Sequence, residues 1–131
     1  MNPLSLDFNQ TLRILTLAKG SVLVEGHMGS GKSSLLQPVA EARGSKPIYL
    51  DCSSLDLGDL FLPDLNNKGD QACIRFVPNE ALGLHTGERV VIMLDEFGKS
   101  NPAVKTALLR LVLEHQLGSY TLPPGSLVFA T

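Results

Sequence analysis

A glycine-rich stretch that ends in a lysine and a serine is the part of this chain with the clearest chemistry. Residues 26–33 read GHMGSGKS and match the pattern G-x-x-x-x-G-K-[ST] at every defined position. Glycines at this spacing let the backbone turn sharply with its N–H groups pointing inward, and the N-terminus of a following helix adds partial positive charge. The stretch is therefore predicted to bind a pyrophosphate group.

Single residues of this stretch have separate predicted roles. Lys32 is expected to reach the β- and γ-phosphates of a nucleoside triphosphate, and the Ser33 hydroxyl is expected to ligate Mg²⁺. The predicted cofactors are ATP and Mg²⁺. The nucleotide contacts are predicted at Gly26, His27, Met28, Gly29, Ser30, Gly31, Lys32, Ser33 and Ser34. The alternative is a glycine-rich turn before an ordinary helix.

Two adjacent carboxylates follow an apolar run later in the chain. Residues 90–94 read VVIML and precede Asp95 and Glu96, a pattern typical of a strand that is buried on both faces and opens onto a site at its carboxyl end. Asp95 is predicted to hold Mg²⁺, usually through water. Glu96 is expected to point to the opposite side of the strand and to accept a proton from the attacking water. Lys32 and Glu96 are thus the predicted catalytic residues; the alternative is a core strand followed by a solvated acidic turn.

Strands and helices alternate along the chain around these motifs. Apolar periodicity and capping residues predict helices over residues 7–19, 34–43, 54–61, 78–85 and 101–114. Apolar runs predict strands over residues 22–25, 47–53, 74–77, 90–94 and 127–131. This order predicts an α/β domain over residues 1–131, with a doubly wound, mainly parallel sheet and helices on both faces.

Single capping residues predict where several of the helices begin or end, and where one turn begins. Gly20 and Gly44 are expected to end the first two helices, with Gly20 in the left-handed position that follows a helix. Asn101 is expected to cap the helix at 101–114, with Pro102 at its first position. Asp51 is expected to cap the turn after the second strand, in preference to joining the water shell of a metal.

Composition excludes several classes of protein. With 131 residues, 44% of them hydrophobic, the chain is expected to bury one core. The net charge of −2 and the scattered basic residues indicate no nucleic-acid partner. The sequence shows no membrane-spanning stretch and no signal peptide, so a cytoplasmic protein is expected. Cys52 and Cys73 have no C-x-x-C pairing and are interpreted as ordinary thiols in a reducing compartment.

These motifs together resemble the AAA+ ATPases, most closely the MoxR-like and midasin/dynein-like group. The resemblance rests on three blocks in the family's order, at residues 26–33, 91–109 and 126–131. It implies a P-loop NTPase core that binds ATP and ADP and hydrolyses ATP to remodel a protein partner within a homo-oligomeric ring. The chain departs from many members at His27 and Met28, where they carry prolines; backbone amides do the binding, so this is expected to matter little.

The resemblance also leads to expectations about the end of the chain and the strand order. In the family, the sensor 1 asparagine, the arginine finger and the helical lid follow the strand that here ends at Thr131. The chain is therefore expected to be the front part of a module, with very slow turnover. The strand at 127–131 is expected to lie between the glycine-loop strand and the Asp95 strand, which leaves the glycine-loop strand at the sheet edge. Residues 113–124, where the group carries a hairpin insertion, are expected to form a plain hairpin.

Two other classes of function remain open. A small P-loop kinase is disfavoured because the sequence shows the contiguous Asp95 and Glu96 pair and no arginine-rich lid. A nucleotide-binding module without turnover is the other alternative.

Overall fold

The computed structural model describes residues 8–25, 32–64 and 75–131. The helices are α1 (Phe8–Leu17), α2 (Leu36–Arg43), α3 (Leu57–Leu60) and α4 (Pro102–Glu114). The strands are β1 (Val22–Leu23), β2 (Lys46–Asp51), β3 (Phe61–Pro63), β4 (Phe76–Pro78), β5 (Val90–Asp95), β6 (Gln116–Leu117), β7 (Tyr120–Thr121) and β8 (Leu127–Ala130). None of the described helices combines the length and the apolar character needed to cross a membrane.

The centre of the structure is a parallel four-stranded sheet in the order β1-β8-β5-β2. Strand β8 pairs with β1 on one side and with β5 on the other, and β5 pairs with β2. The expected position of the last strand, between the glycine-loop strand and the Asp95 strand, is confirmed. Strand β1 lies at the edge of this sheet, as the resemblance implied.

Helices cover both faces of the sheet because the central strands are apolar on both sides. Residues Val90 to Leu94 of β5 are at most 1% exposed. Val91 and Met93 pack with Phe129 against α1 and α2, whereas Ile92 packs on the opposite face against α4. The predicted mainly parallel sheet with helices on both faces is thus observed.

Helix α4 begins and ends as its sequence predicts. The Asn101 side chain accepts a hydrogen bond from the Val104 N–H at 2.9 Å, and Pro102 occupies the first helical position. At its other end His115 adopts a left-handed conformation with φ of 55°. Residues Val104, Leu108 and Leu111 are buried, so this helix supplies the apolar face that covers one side of the sheet.

The prediction that Gly20 ends the first helix in the left-handed conformation is wrong. Helix α1 ends at Leu17, and Gly20 is not among the glycines with positive φ. The physical reason is Arg43, whose guanidinium donates to the backbone oxygens of Leu15, Thr16 and Ala18 at 2.8 to 3.0 Å. This side chain satisfies carbonyls at the helix end that a left-handed glycine would otherwise satisfy. Helix α2, by contrast, ends at Gly44 as predicted, with φ of 61°.

Three segments between β2 and β5 differ from their predictions. The helix predicted at 54–61 is the single turn α3, which begins after Asp56 because Asp56 and Asp59 form a capping box. Residues 61–63 form β3, which pairs antiparallel with β4. The helix predicted at 78–85 is two separate 3₁₀ turns, because Gly83 between them has φ of 82°.

The connection between α4 and β8 forms the expected hairpin. Strands β6 and β7 pair antiparallel, and the Ser119 N–H donates to the Phe76 carbonyl of β4 at 2.8 Å. This hairpin therefore rests against the β3–β4 pair.

Two neighbouring leucines of α4 test the packing of the core. Leu108 is fully buried and Leu109 is 42% exposed. We expect Leu108→Ala to lower the free energy of unfolding by about 2–5 kcal/mol, because the lost side chain leaves a cavity. Leu109→Ala carries the same change in helix propensity and should cost less than about 1 kcal/mol. Urea denaturation of both variants makes the comparison; equal losses would contradict the placement of α4 on the sheet.

Candidate functional site

Polar residues at the carboxyl ends of three neighbouring strands lie on one face of the sheet. Val91 and Met93 of β5 pack towards α1 and α2. Because side chains alternate along a strand, Asp95 belongs to the same face. Asp51 is the register partner of Asp95 on β2, and Thr131 directly follows β8. These groups therefore converge on the side of the sheet that carries the helix after the glycine loop.

Hydroxyl groups from both neighbouring strands hold the Asp95 carboxylate. Oδ1 accepts a hydrogen bond from Thr131 Oγ1 at 2.7 Å, and Oδ2 accepts one from Tyr49 Oη at 2.5 Å. The Asp95 backbone oxygen accepts from the Cys52 N–H at 2.9 Å. The side chain and the backbone of Asp95 are thus fixed by contacts from β2 and from the end of β8.

The contact with Asp95 raises the pKa of Tyr49. Tyr49 is 49% exposed, yet its hydrogen bond to Asp95, followed by burial and by the charges of Asp95 and Asp51, raises its pKa to about 12. A phenol is protonated at neutral pH in any case, and the raised pKa keeps Tyr49 a hydrogen-bond donor to a higher pH than an ordinary tyrosine. In Cys52, burial followed by the charges of the same two carboxylates raises the pKa of the thiol to about 12. Cys52 is a buried free thiol, and Cys73 lies outside the described residues.

Glu96 does not continue the strand as predicted. Strand β5 ends at Asp95, and Glu96 adopts a left-handed conformation with φ of 56° and ψ of 41°, which is uncommon for a residue other than glycine. The prediction that strand alternation directs its side chain is therefore wrong. The carboxylate instead forms an ion pair with Lys99 Nζ at 3.4 Å, and the Glu96 side chain is 42% exposed.

The end of β8 holds the turn that contains Glu96. The Thr131 N–H donates to the Leu94 oxygen at 2.9 Å, and the Thr131 oxygen accepts from the Phe97 N–H at 3.1 Å. These two backbone hydrogen bonds lie on either side of Asp95 and Glu96. The direction in which both carboxylates leave the sheet is consequently fixed by the residue after β8.

Asp51 has the local role that the sequence predicts. Its Oδ1 accepts from the Ser53 N–H at 3.2 Å and from the Ser53 hydroxyl at 2.7 Å. The Ser54 hydroxyl donates to the Asp51 backbone oxygen at 3.2 Å. The prediction that Asp51 caps the turn after β2 is confirmed.

Most of the predicted phosphate-binding residues lie outside the described part of the chain. This applies to Gly26, His27, Met28, Gly29, Ser30 and Gly31. The backbone of Lys32 and Ser33 opens the 3₁₀ turn Lys32–Leu35, which runs into α2, and Ser34 is exposed on that turn. Before the loop, the Val24 N–H donates to the Ala130 oxygen at 2.8 Å. The strand and the helix that flank the loop are therefore present as predicted.

A magnesium site built on Asp95 agrees with the chemistry of the described residues. Each carboxylate oxygen accepts more than one hydrogen bond, so the Tyr49 and Thr131 contacts are compatible with hydrogen bonds from metal-bound water. Mg²⁺ keeps several waters and commonly uses one or two carboxylates together with substrate phosphates. Within the described ranges no cluster of three or more His, Cys, Asp or Glu side chains forms a metal site.

The roles of Tyr49 and Thr131 at Asp95 were not predicted from the sequence. Tyr49 lies two positions before the end of β2, and only the register of β2 with β5 brings it next to Asp95. Thr131 belongs to one of the three blocks that resemble AAA+ ATPases. The Thr131 hydroxyl contacts Asp95 because β8 lies beside β5 in the sheet. The order of the strands along the chain does not by itself reveal that these two strands are neighbours.

The chain is similar to a known protein over most of its length. No protein-family model matches the chain. Protein MoxR of Paracoccus denitrificans is 30% identical over 124 residues, which are 92% of this chain and 36% of that protein. The chain thus spans about a third of the length of this relative. The similarity supports a relationship to MoxR-like proteins, in agreement with the motifs.

The pKa of Tyr49 tests the Asp95 contact in solution. The chain has two tyrosines, so Tyr120→Phe leaves Tyr49 as the single phenol, and its ionisation can be followed by ultraviolet absorbance. We expect a pKa of about 12, and a fall towards 10.0 when Asp95→Asn removes the negative charge. Circular dichroism at each pH identifies any unfolding. A pKa near 10.0 in folded protein with Asp95 intact would show that the contact is absent.

Proposed function

We propose that residues 1–131 form the nucleotide-binding core of an AAA+ type ATPase with a P-loop NTPase fold. The observation that carries the proposal is the position of β8, which joins the strand before the glycine loop to the strand that ends in Asp95. Asp95 lies on the face covered by α2, the helix that follows the loop. A phosphate loop and an acidic residue at the carboxyl ends of two strands of one parallel sheet are the arrangement that Mg-ATP binding requires.

In this proposal the loop binds the triphosphate and Asp95 helps to hold the metal. The backbone N–H groups of residues 26–31 surround the phosphates, and the Lys32 ammonium contacts the β- and γ-phosphates. The Ser33 hydroxyl and the Asp95 carboxylate hold Mg²⁺, the latter through water. Bound there, Mg²⁺ would offset the negative charge of the phosphates.

Glu96 is the proposed proton acceptor for the attacking water. It directly follows Asp95, and its carboxylate is exposed enough for water to reach it. An exposed ion pair such as that with Lys99 is worth about 0–1 kcal/mol, so Glu96 can leave this partner at little cost. The resemblance to the MoxR-like group adds a further part to the proposal. In this part, the ATPase remodels a protein partner within a ring of copies of the chain.

A nucleotide-binding module without turnover is the second candidate. The observation that favours it is the Glu96–Lys99 ion pair: if Glu96 keeps this partner when nucleotide binds, its carboxylate is not available to the attacking water. A small P-loop kinase has less support, because no feature of the described residues identifies an acceptor site.

Removal of the loop lysine tests nucleotide binding. We expect Lys32→Ala to lose most of the affinity for Mg-ATP, because a charged contact to two phosphates is lost. Lys19→Ala is the matched control: Lys19 is exposed before β1, at the other end of that strand from the loop. Isothermal titration calorimetry measures both. An unchanged affinity of the Lys32 variant would overturn the site assignment.

Removal of the proposed base separates binding from hydrolysis. Glu96→Gln should keep Mg-ATP affinity and lower the slow hydrolysis of the unmodified chain to the rate seen without protein, because the amide keeps the shape but cannot take a proton. Glu88→Gln, at an exposed position before β5, is the matched control. Phosphate release with protein in excess of ATP detects slow turnover. If the unmodified chain binds ATP without any hydrolysis, the module without turnover is the better account.

A further inference from the structure

Tyr49 and Thr131 approach the Asp95 carboxylate from the two strands that flank β5. Each donates a hydrogen bond to a different carboxylate oxygen, at 2.5 Å from Tyr49 and at 2.7 Å from Thr131. The terminal torsion of an aspartate is broad and roughly two-fold, so a carboxylate without such donors rotates easily. Two donors from opposite sides restrict this rotation.

We propose that Tyr49 is a positioning residue, with Thr131 as its counterpart, that orients Asp95 for the metal of a bound nucleotide. The inference rests on the proposed Mg-ATP site. It assigns to the Tyr49 hydroxyl a role in metal affinity, whereas the phosphate loop accounts for the affinity of the nucleotide itself.

The surroundings of Tyr49 separate this role from core packing. Tyr49 is 49% exposed, and its ring belongs to neither of the two apolar clusters that cover the faces of the sheet. Tyr120, the other tyrosine, packs against the cluster under α4. The Asp95 contact is therefore the main interaction that replacement of Tyr49 by phenylalanine removes.

The expected effect follows from the strict geometry of magnesium. Mg²⁺ demands near-ideal octahedral coordination, so a carboxylate that rotates away from its place weakens binding even when its charge is unchanged. Loss of a residue that orients a metal ligand commonly weakens metal binding by about 10- to 100-fold. Because Asp95 is expected to act through water, we expect the low end of this range, about tenfold, for Tyr49→Phe.

The test measures metal and nucleotide affinity separately. Mn²⁺ replaces Mg²⁺, and electron paramagnetic resonance of free Mn²⁺ gives its affinity for the chain saturated with ADP. A fluorescent ADP analogue without metal gives the affinity for nucleotide alone. The variants are Tyr49→Phe, the matched control Tyr120→Phe, and Asp95→Asn. Thr131→Val removes the second hydroxyl, and Thr131→Ser restores it.

The inference expects a specific pattern of losses. Tyr49→Phe and Thr131→Val should weaken Mn²⁺ binding with unchanged metal-free nucleotide affinity, and Tyr120→Phe and Thr131→Ser should bind as the unmodified chain does. If Tyr49→Phe binds Mn²⁺ normally while Asp95→Asn does not, the inference is wrong and the proposed site stands. If the unmodified chain binds no nucleotide, or Asp95→Asn leaves Mn²⁺ affinity intact, the proposed metal site fails and the inference fails with it.

Discussion

The pairing of β8 with both β1 and β5 is the interaction on which the rest of the structure depends. Strands β1 and β5 do not pair with each other, and β8 joins them through two parallel ladders. Leu127 and Phe129 of β8 pack under α1 and α2, whereas Val128 and Ala130 pack under α4. The strand thus unites the two apolar clusters as well as the sheet. Without it, no backbone ladder would connect the glycine-loop strand to the Asp95 strand.

The same strand orients the candidate site. Thr131, the residue after β8, bonds the backbone on either side of Asp95 and Glu96 and also donates to the Asp95 carboxylate. Assembly of the sheet and orientation of the carboxylate are therefore coupled. In the proposed site, a change that loosens β8 should affect stability and metal binding together, whereas a change at Tyr49 should affect the carboxylate alone.

The sequence predicted those parts of the structure that local patterns determine. The apolar run of β5 and the Asn101–Pro102 start of α4 were found because each depends on neighbouring residues. The central place of β8 came from the resemblance to a known family, since hydrophobicity does not give strand order. The end of α1 was missed because Arg43, far along the chain, caps it. The conformation of Glu96 was missed because the turn that contains it is held by backbone hydrogen bonds to Thr131, far along the chain.

The proposed site places Mg-ATP at the carboxyl ends of β1 and β5, on the α2 face of the sheet. Nuclear magnetic resonance with Mn-ATP tests it directly, because a bound Mn²⁺ ion broadens amide signals steeply with proximity. The opposite ends of β5 are about 17 Å apart, so the effect should differ along one strand. The account predicts broadened signals for Asp95 and Asp51, and sharp signals for Val90 and Lys46. The reverse pattern would contradict the proposed site. Uniform broadening that persists after metal-free ATP is added would contradict it as well.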